Sequence, residues 1–180
     1  MINIVLYQPE IPANTGNIMR TSVALNCRLH LIEPLGFYLD EKHLRRAGMD
    51  YRKDLDMTVY HDWEDFKSKN DGEFYFFTRY GHKRPNDFNY KEVYDDGKDI
   101  YLVFGKESTG IDKEILFENL DHCIRIPMVK EARSLNLSNC VALVVYEVLR
   151  QLDYPGLSFY EEIKGHHFIE DEHQRHLDEE

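Results

Sequence analysis

Short runs of apolar, β-branched or aromatic residues alternate along this chain with longer stretches in which apolar residues recur at helical spacing. Such alternation is typical of α/β proteins, whose strands run mainly parallel because helices make the crossover connections. We therefore predict an α/β fold with a mainly parallel sheet flanked by helices. The predicted strands are Asn3–Tyr7, Arg28–Ile32, Thr58–Tyr60, Phe74–Thr78, Ile100–Phe104 and His122–Ile126.

Helices are predicted where a polar capping residue precedes periodic apolar positions. The first covers about Gly16–Leu25, with Asn14 or Thr15 as its cap, and the longest covers Leu137–Leu152, ahead of Pro155-Gly156. Shorter helices are predicted over Asp40–Arg46, from the cap Asp62 to about Lys69, and over Asp112–Phe117.

Charge is distributed unevenly along the 180 residues. The 33 acidic and 22 basic side chains give a net charge of −11, and eight acidic but only two basic residues fall from Glu161 onward. We therefore predict one domain over residues 1–157 and an acidic, His-containing tail over residues 158–180. His173 and His176 beside Glu172 have the spacing of metal ligands, but a solvated tail is the favoured interpretation and no metal is expected.

The net acidity does not exclude a nucleic-acid partner. Charges more than about 8–10 Å apart are largely screened, so a phosphate-binding face can be local. For any single basic cluster, a solvated surface is the favoured alternative. The clusters are Lys42, Arg45, Arg46, Arg52 and Lys53, then Arg79, His82, Lys83 and Arg84, then Arg125, Lys130 and Arg133.

The lengths of the apolar runs and the positions of the cysteines indicate the cellular compartment. The longest apolar run, Val141–Tyr146, is far shorter than the roughly 18–20 residues that a membrane span needs, and the first residues lack the basic region of a signal peptide. Cys27, Cys123 and Cys140 are odd in number and lie among apolar neighbours, a pattern typical of reduced, buried thiols. We expect a cytoplasmic enzyme or binding domain without a membrane partner.

The first segment whose residues could bind a ligand or take part in catalysis is Gln8–Arg20, which leads from a strand into a helix. Ligands of open α/β sheets bind beyond the carboxyl ends of the strands. Asn14 and Asn17 offer amide hydrogen bonds, and the Arg20 guanidinium could hold a phosphate. The alternative, of equal weight from spacing alone, is that Asn14 only caps the helix and Arg20 is an ordinary surface residue.

The second segment, Leu102–Ile111, follows a buried strand and contains Gly105 and Gly110. Two glycines allow the backbone to turn close to a ligand. A phosphate-binding P-loop is excluded, because Ile100 stands where its first glycine is required and Lys106 is followed by Glu rather than Ser or Thr. On its own, this loop is weak evidence for a ligand site.

The third segment, Ile126–Cys140, leads from a strand into the longest predicted helix. Free N–H groups at a helix N-terminus favour polar or anionic ligands. Simple capping would need only one small polar side chain, so the surplus favours a ligand site. The residues concerned are Ser134, Asn136, Ser138 and Asn139.

Taken together, these segments resemble the SPOUT superfamily of RNA methyltransferases, and within it the tRNA 2′-O-methyltransferases of the TrmL (YibK) type. The resemblance implies a C-terminal deep trefoil knot that binds S-adenosylmethionine, with knot loops at Phe104–Ile111 and Ile126–Leu137, in a homodimer whose active site is completed across the interface. General topology rules would reject a knot. The resemblance covers about residues 1–156 and includes Ile32-Glu33-Pro34, Arg45-Arg46-Ala47-Gly48, Tyr146-Glu147 and Tyr154-Pro155-Gly156.

The resemblance also implies roles for individual residues. Gln8 and Lys106 depart from it, because some relatives carry Glu and Pro there. Residues implied to be needed for activity are Asn14, Arg20, Glu107, Ser134 and Asn136. Residues implied to contact the cofactor or to lie beside it are Phe77, Thr78, Gly105, Gly110, Ile126, Met128, Ser134, Leu135 and Asn136.

The implied substrate is the ribose 2′-hydroxyl of the wobble nucleotide, position 34, of leucine tRNAs, either cytidine or a modified uridine. Arg20 would orient the target phosphate and ribose, since a guanidinium that stays protonated is a poor general base. The basic segments Lys42–Lys53 and Arg79–Arg84 would contact the anticodon stem. The alternatives are methylation of ribosomal RNA and a non-catalytic cofactor- or RNA-binding module.

Overall fold

A parallel sheet forms the centre of the molecule in the computed structural model, which describes residues 1–39 and 54–178. Within these residues the sheet has six strands in the order β3-β2-β1-β5-β4-β6, and every neighbouring pair is parallel. The α/β prediction is thus confirmed. The strands are β1 (Ile2–Tyr7), β2 (Arg28–Ile32), β3 (Met57–Tyr60), β4 (Glu73–Phe77), β5 (Ile100–Gly105) and β6 (Cys123–Ile124).

Helices cover both faces of this sheet. No helix among the described residues is long and apolar enough to cross a membrane. The helices are α1 (Pro12–Ala24), α2 (Trp63–Lys69), α3 (Tyr90–Asp95), α4 (Lys113–Glu118), α5 (Leu137–Leu152) and α6 (Phe168–Asp178).

The central strands β1, β4 and β5 are mostly apolar and almost fully buried, as expected for strands that are covered on both faces. On one face, Ile4, Leu6 and Phe104 belong to a cluster that includes α5 residues such as Val145. On the other face, an aromatic cluster surrounds the fully buried Phe66 of α2. The sheet is therefore a rigid platform from which the loops at its carboxyl edge project.

The predicted start of α1 is wrong. The helix begins at Pro12, where proline's fixed φ suits the first helical position, and not near Gly16. Asn14 and Thr15 therefore lie inside the helix and are buried, instead of capping it.

Three further differences concern the later elements. The predicted strand His122–Ile126 shortens to Cys123–Ile124. The region between β4 and β5, for which no helix is predicted, contains α3, whose cap Asn89 accepts a hydrogen bond from the Glu92 amide. The tail is exposed over most of its described length, as a solvated tail would be, but it contains the helix α6, which is not among the predicted helices. The predicted helix Asp40–Arg46 lies outside the described residues.

The chain that follows β4 passes round β6. On one side, β4 pairs with β6, and the Thr78 amide donates to the Ile124 carbonyl at 2.9 Å. On the other side, Lys83 forms a parallel bridge with Ile124, and the Arg125 amide donates to the Lys83 carbonyl at 2.8 Å. A Cβ on Gly81 would lie 2.4 Å from the Ile124 carbonyl carbon, so only glycine fits this approach. Residues 78–83 therefore enclose β6 from both sides.

Candidate functional site

The three segments singled out in the sequence meet at the carboxyl edge of the sheet. β1, β5, β4 and β6 are neighbours and parallel, so the loops that follow them emerge side by side. These loops contain the residues after Tyr7, after Gly105 and after Ile124. Ligands of open parallel sheets bind at this edge.

The loop after β5 closes on itself. The Gly110 amide donates to the Lys106 carbonyl at 2.9 Å, and Gly110 adopts a φ of +79°. A Cβ on Gly105 would lie 2.3 Å from the Gly110 carbonyl carbon and from the Ile111 nitrogen. Since both approaches involve backbone atoms, a side chain at Gly105 would force this loop open.

Hydrogen bonds between three pairs of residues join this loop to the loop after β1. The Lys106 ammonium donates to Oε1 of Gln8 at 2.8 Å. The Ser108 amide and hydroxyl donate to the Glu10 carboxylate at 2.9 and 2.8 Å. Conversely, the Glu10 amide donates to the Glu107 carboxylate at 2.9 Å. The two loops therefore exchange hydrogen bonds in both directions.

Glu107 also supplies the capping group that α1 lacks. The N-cap residue, Ile11, has no side-chain cap, and its amide donates to Oε1 of Glu107 at 3.3 Å. The Asn14 side-chain amide donates to the same oxygen at 2.9 Å. A carboxylate at a helix N-terminus is stabilised by the helix dipole and by the free N–H groups of the first turn.

Asn14 connects Glu107 to α5. Its Nδ2 donates to Glu107, and its Oδ1 accepts a hydrogen bond from Nδ2 of Asn136 at 2.9 Å. Oδ1 of Asn136 in turn accepts the Ser138 amide at 2.9 Å, which makes Asn136 the N-cap of α5. Because a carboxylate can only accept and a backbone N–H can only donate, the chain of contacts fixes the orientation of both amide side chains. We call the set Glu107, Asn14 and Asn136 the polar relay.

The other two residues implied to be needed for activity lie near the relay in sequence and are exposed. Arg20 lies on α1, six residues beyond Asn14, which corresponds to about 9 Å along the helix axis. Ser134 lies in the loop that precedes α5, two residues before Asn136. Both side chains are therefore accessible to a ligand.

Most residues implied to contact the cofactor lie at the same edge. Phe77 ends β4 and stacks on Phe104 with ring centroids 4.8 Å apart, and both side chains are buried. Thr78 follows Phe77 and bonds to β6 through its amide. Gly105 is the last residue of β5, and Gly110 lies in the loop that follows it. The loop after β6 contains the half-buried Ile126 and Met128 and the exposed Ser134 and Leu135.

A tyrosine supports the end of the β5 loop. The buried Tyr7 hydroxyl donates to the Asp112 carboxylate. Burial, together with this hydrogen bond and the Asp112 charge, raises the pKa of Tyr7 well above its usual value. Tyr7 therefore stays protonated and acts as a structural tie.

Some of the basic residues lie on the segment that encloses β6. Arg79, His82 and Lys83 are exposed there, as is Arg84, which directly follows the segment. The Arg125 guanidinium donates to the Arg79 carbonyl. Arg84 pairs with Asp87 at 2.7 Å, which offsets part of its charge. The cluster Lys42–Lys53 lies outside the described residues. No group of three or more potential metal ligands occurs in the described part of the chain.

Glu10 and Ser108 were not predicted as site residues. The available signal was an acidic residue within three residues of the end of each of two neighbouring strands, with a small polar residue beside one of them. Their pairing depends on the register of β1 and β5, in which Tyr7 lies opposite Gly105. That register follows from tertiary structure and is absent from either local motif.

The sequence of this chain is similar to the sequences of RNA methyltransferases. The model of the SpoU rRNA Methylase family matches residues 1–146. The tRNA (cytidine(34)-2′-O)-methyltransferase of Escherichia coli (strain K12) is 47% identical over 158 residues, which cover 87% of this chain and 97% of the relative.

Two solved structures have the same fold. One, of a Bacillus anthracis protein, is 51% identical with a TM-score of 0.84 and covers 91% of this chain and 100% of its own. The other, described as giving insights into the 2-OH methylation of C/U34 on tRNA, is 37% identical with a TM-score of 0.77 and covers 85% of this chain and 97% of its own.

Proposed function

The chain belongs to the SpoU rRNA methylase family, and from this premise we propose that it transfers a methyl group from S-adenosylmethionine to the ribose 2′-hydroxyl of nucleotide 34 of leucine tRNAs. The nucleotide is cytidine or a modified uridine. The activity named for the Escherichia coli relative, which aligns over nearly its whole length, supports nucleotide 34 as the target. The observation that carries the proposal is the polar relay, because it joins all three candidate segments at the edge where ligands bind.

The residues at this edge fit S-adenosylmethionine, which supplies a methyl group already activated by its sulfonium sulfur. The half-buried Ile126 packs against the core cluster that contains Phe77 and Phe104, and it offers an apolar contact for an adenine ring. Gly105 allows the loop after β5 to close on itself, and Ser134 offers an accessible hydroxyl. Gly110, Thr78, Met128 and Leu135 complete the same set of segments.

The residues implied to act on the substrate divide into two groups. Arg20 is exposed and permanently charged, so it orients the target phosphate and ribose and favours the developing alkoxide. Both carboxylate oxygens of Glu107 already accept N–H groups, so Glu107 acts as a positioning residue together with Asn14 and Asn136. Ser134 is free to hydrogen-bond the cofactor or the reacting hydroxyl.

The tRNA partner is supported by the exposed basic residues on the segment that encloses β6. Arg79, Lys83 and Arg84 carry guanidinium and ammonium groups that suit phosphates of the anticodon stem. A tRNA-modifying enzyme of this kind acts in the cytoplasm. The acidic tail over residues 158–180 lies beyond the proposed domain, residues 1–157.

A homodimer is part of the proposal. Leu143 and Tyr146 of α5 are each 55% exposed, and Tyr146, Tyr154 and Phe159 follow one another with ring centroids 5.4 and 5.9 Å apart. This apolar face suits a second copy of the chain. The interface would bring the exposed Arg20 of α1, a helix packed on α5, close to the neighbouring copy's site.

The deep trefoil knot is also part of the proposal. It is supported by the enclosure of β6 between β4 and Lys83, and by the close approach of Gly81 to Ile124. Threading of residues 125–137 through the segment that follows β4 would complete the knot and gather the cofactor residues around one bend.

The experiment is methyl transfer to RNA from cells that lack their own activity. Purified protein is incubated with methyl-labelled S-adenosylmethionine and either total tRNA or ribosomal RNA, and the labelled nucleotide is mapped. We expect label on ribose 34 of leucine tRNAs and its loss with Arg20→Ala. Label on ribosomal RNA alone, or cofactor binding with no transfer, would replace the proposal by one of the alternatives.

A further inference from the structure

Glu10 and Ser108 form a pair that is joined by two hydrogen bonds. Oε2 of Glu10 accepts the Ser108 amide at 2.9 Å, and Oε1 accepts the Ser108 hydroxyl at 2.8 Å. A carboxylate that receives both donors of one residue holds that residue's backbone and side chain together. Ser108 is exposed and Glu10 half-buried, so the pair lies at the rim of the site.

The backbone of Glu10 is held from the opposite side. The Gly36 amide donates to the Pro9 carbonyl at 2.9 Å, and a Cβ on Gly36 would lie 2.6 Å from Cα of Glu10. The loop after β2 therefore packs directly against Glu10. Because that contact fixes the main chain, the Glu10 side chain extends from a rigid base.

The pair is linked to the polar relay at two points. Ser108 directly follows Glu107, and the Glu10 amide donates to Oε2 of Glu107 at 2.9 Å. Glu107 in turn accepts Nδ2 of Asn14. Glu10 thus contacts the carboxylate of Glu107 through its main chain and the residue after Glu107 through its side chain.

We infer that Glu10 and Ser108 are positioning residues for methyl transfer, which hold Glu107 against Asn14 and so keep the relay aligned. This inference rests on the proposed function. Neither residue is assigned contact with the cofactor or the ribose. Their loss therefore lowers kcat and leaves KM for S-adenosylmethionine unchanged, since only the alignment of the reacting groups is disturbed.

Substitutions of Ser108 can separate the role of its hydroxyl from that of its backbone amide. Ser108→Ala removes the hydroxyl donor and keeps the amide, whereas Ser108→Thr keeps both donors and adds a methyl group at an exposed position. Glu10→Ala removes both acceptors. The expected losses of kcat are roughly tenfold for Ser108→Ala and more for Glu10→Ala, within the range caused by small misplacements.

The test measures kcat and KM for Ser108→Ala, Ser108→Thr, Glu10→Ala and the double alanine variant. Ser68→Ala and Glu64→Ala, on the exposed side of α2, are the matched controls. In parallel, the side-chain amide resonances of Asn14 and Asn136 are followed by nitrogen-15 NMR of the full chain. That readout reports on the relay whether or not RNA is methylated.

We expect Ser108→Ala and Glu10→Ala to lower kcat and to shift the side-chain amide resonances of Asn14 and Asn136. Ser108→Thr should keep kcat and these resonances at their wild-type values. The double variant should match Glu10→Ala. Unchanged amide resonances, or a fall confined to KM, would overturn the inference. A wild-type protein inactive on tRNA would contradict the proposed function alone, because the NMR readout would still decide whether the pair aligns the relay.

Discussion

The side-chain amide of Asn136 donates to Oδ1 of Asn14 over 2.9 Å and joins the N-terminus of α5 to the first turns of α1, across 122 residues of sequence. Asn14 is 5% exposed, so its side of the contact is shielded from competing water. With Glu107 on its other side, Asn14 holds together the loops that follow β1, β5 and β6.

Replacement of Asn14 tests this contact. Asn14→Ala leaves the Glu107 carboxylate and the Asn136 amide each without one partner, so we expect kcat to fall at least tenfold and the free energy of unfolding to fall by about 1–3 kcal/mol. Transfer assays and denaturant unfolding measure the two effects. Asn119→Ala, which removes one amide hydrogen bond on α4, should leave kcat unchanged; equal activity of Asn14→Ala and wild type would contradict the role of Asn14.

Glu107→Gln separates charge from shape. Glutamine has one acceptor oxygen, so its amide group would face N–H donors of Glu10, Ile11 or Asn14. We expect a loss of about 1–2 kcal/mol of stability and a lower kcat, with cofactor affinity retained. Titration calorimetry with S-adenosylmethionine checks the affinity, and a variant as stable and active as wild type would show that the carboxylate is dispensable.

Gly105→Ala tests the close approach in the β5 loop. Its Cβ would lie 2.3 Å from backbone atoms of Gly110 and Ile111, which cannot move as a flexible side chain would. We expect about 1–3 kcal/mol of destabilisation and weaker cofactor binding. Gly97→Asn is the control, because Gly97 has a φ of +75° and open space around it, and asparagine tolerates that conformation. Equal unfolding midpoints for the two variants would contradict the close approach.

His30 predicts a pH dependence of stability. It is buried, and Nδ1 bonds the Tyr60 hydroxyl at 2.9 Å while Nε2 bonds Oδ1 of Asn3 at 3.1 Å. Nδ2 of Asn3 donates to the Met1 carbonyl, so Oδ1 accepts from Nε2–H, and Nδ1 is the acceptor that protonation would remove. Burial lowers the pKa of His30 to about 4.

The direction of this pH dependence of stability depends on the unfolded chain, in which a histidine has a pKa of about 6.5. Between pH 4 and 6.5 the unfolded state binds more protons, so stability falls as the pH is lowered through this window, by up to roughly 3 kcal/mol. Urea unfolding at several pH values measures the slope. His30→Gln should flatten it, and His82→Gln, at an exposed position, should not; an unchanged slope in His30→Gln would refute the assignment.

Local signals made part of the fold predictable. α5 begins and ends as predicted because Asn136 caps it and Pro155 follows it closely. The start of α1 was mispredicted because its capping carboxylate, Glu107, comes from a distant loop, so no local cap marks the first turn. β6 is short because β4 ends at Phe77, which lies opposite Ile124, so the residues after Ile124 have no partner in β4.

The candidate site, too, could be predicted only in part from the sequence. The convergence of the three segments was predictable, because the carboxyl ends of parallel strands share an edge. The pairing of Glu10 with Ser108 was not, because it requires the register of β1 against β5 and the closed loop at Gly105. The knot stays a prediction from family resemblance, since threading is a property of the whole chain that no local pattern encodes.

The central claim is methyl transfer to one ribose hydroxyl, and a matched pair of RNA substrates tests it most directly. Two leucine tRNAs of the same sequence are prepared, one with cytidine and one with 2′-deoxycytidine at position 34, and each is incubated with methyl-labelled S-adenosylmethionine. We predict label on the cytidine tRNA and none on its deoxy counterpart. Equal labelling of both, or of neither while the cofactor binds, would contradict the account.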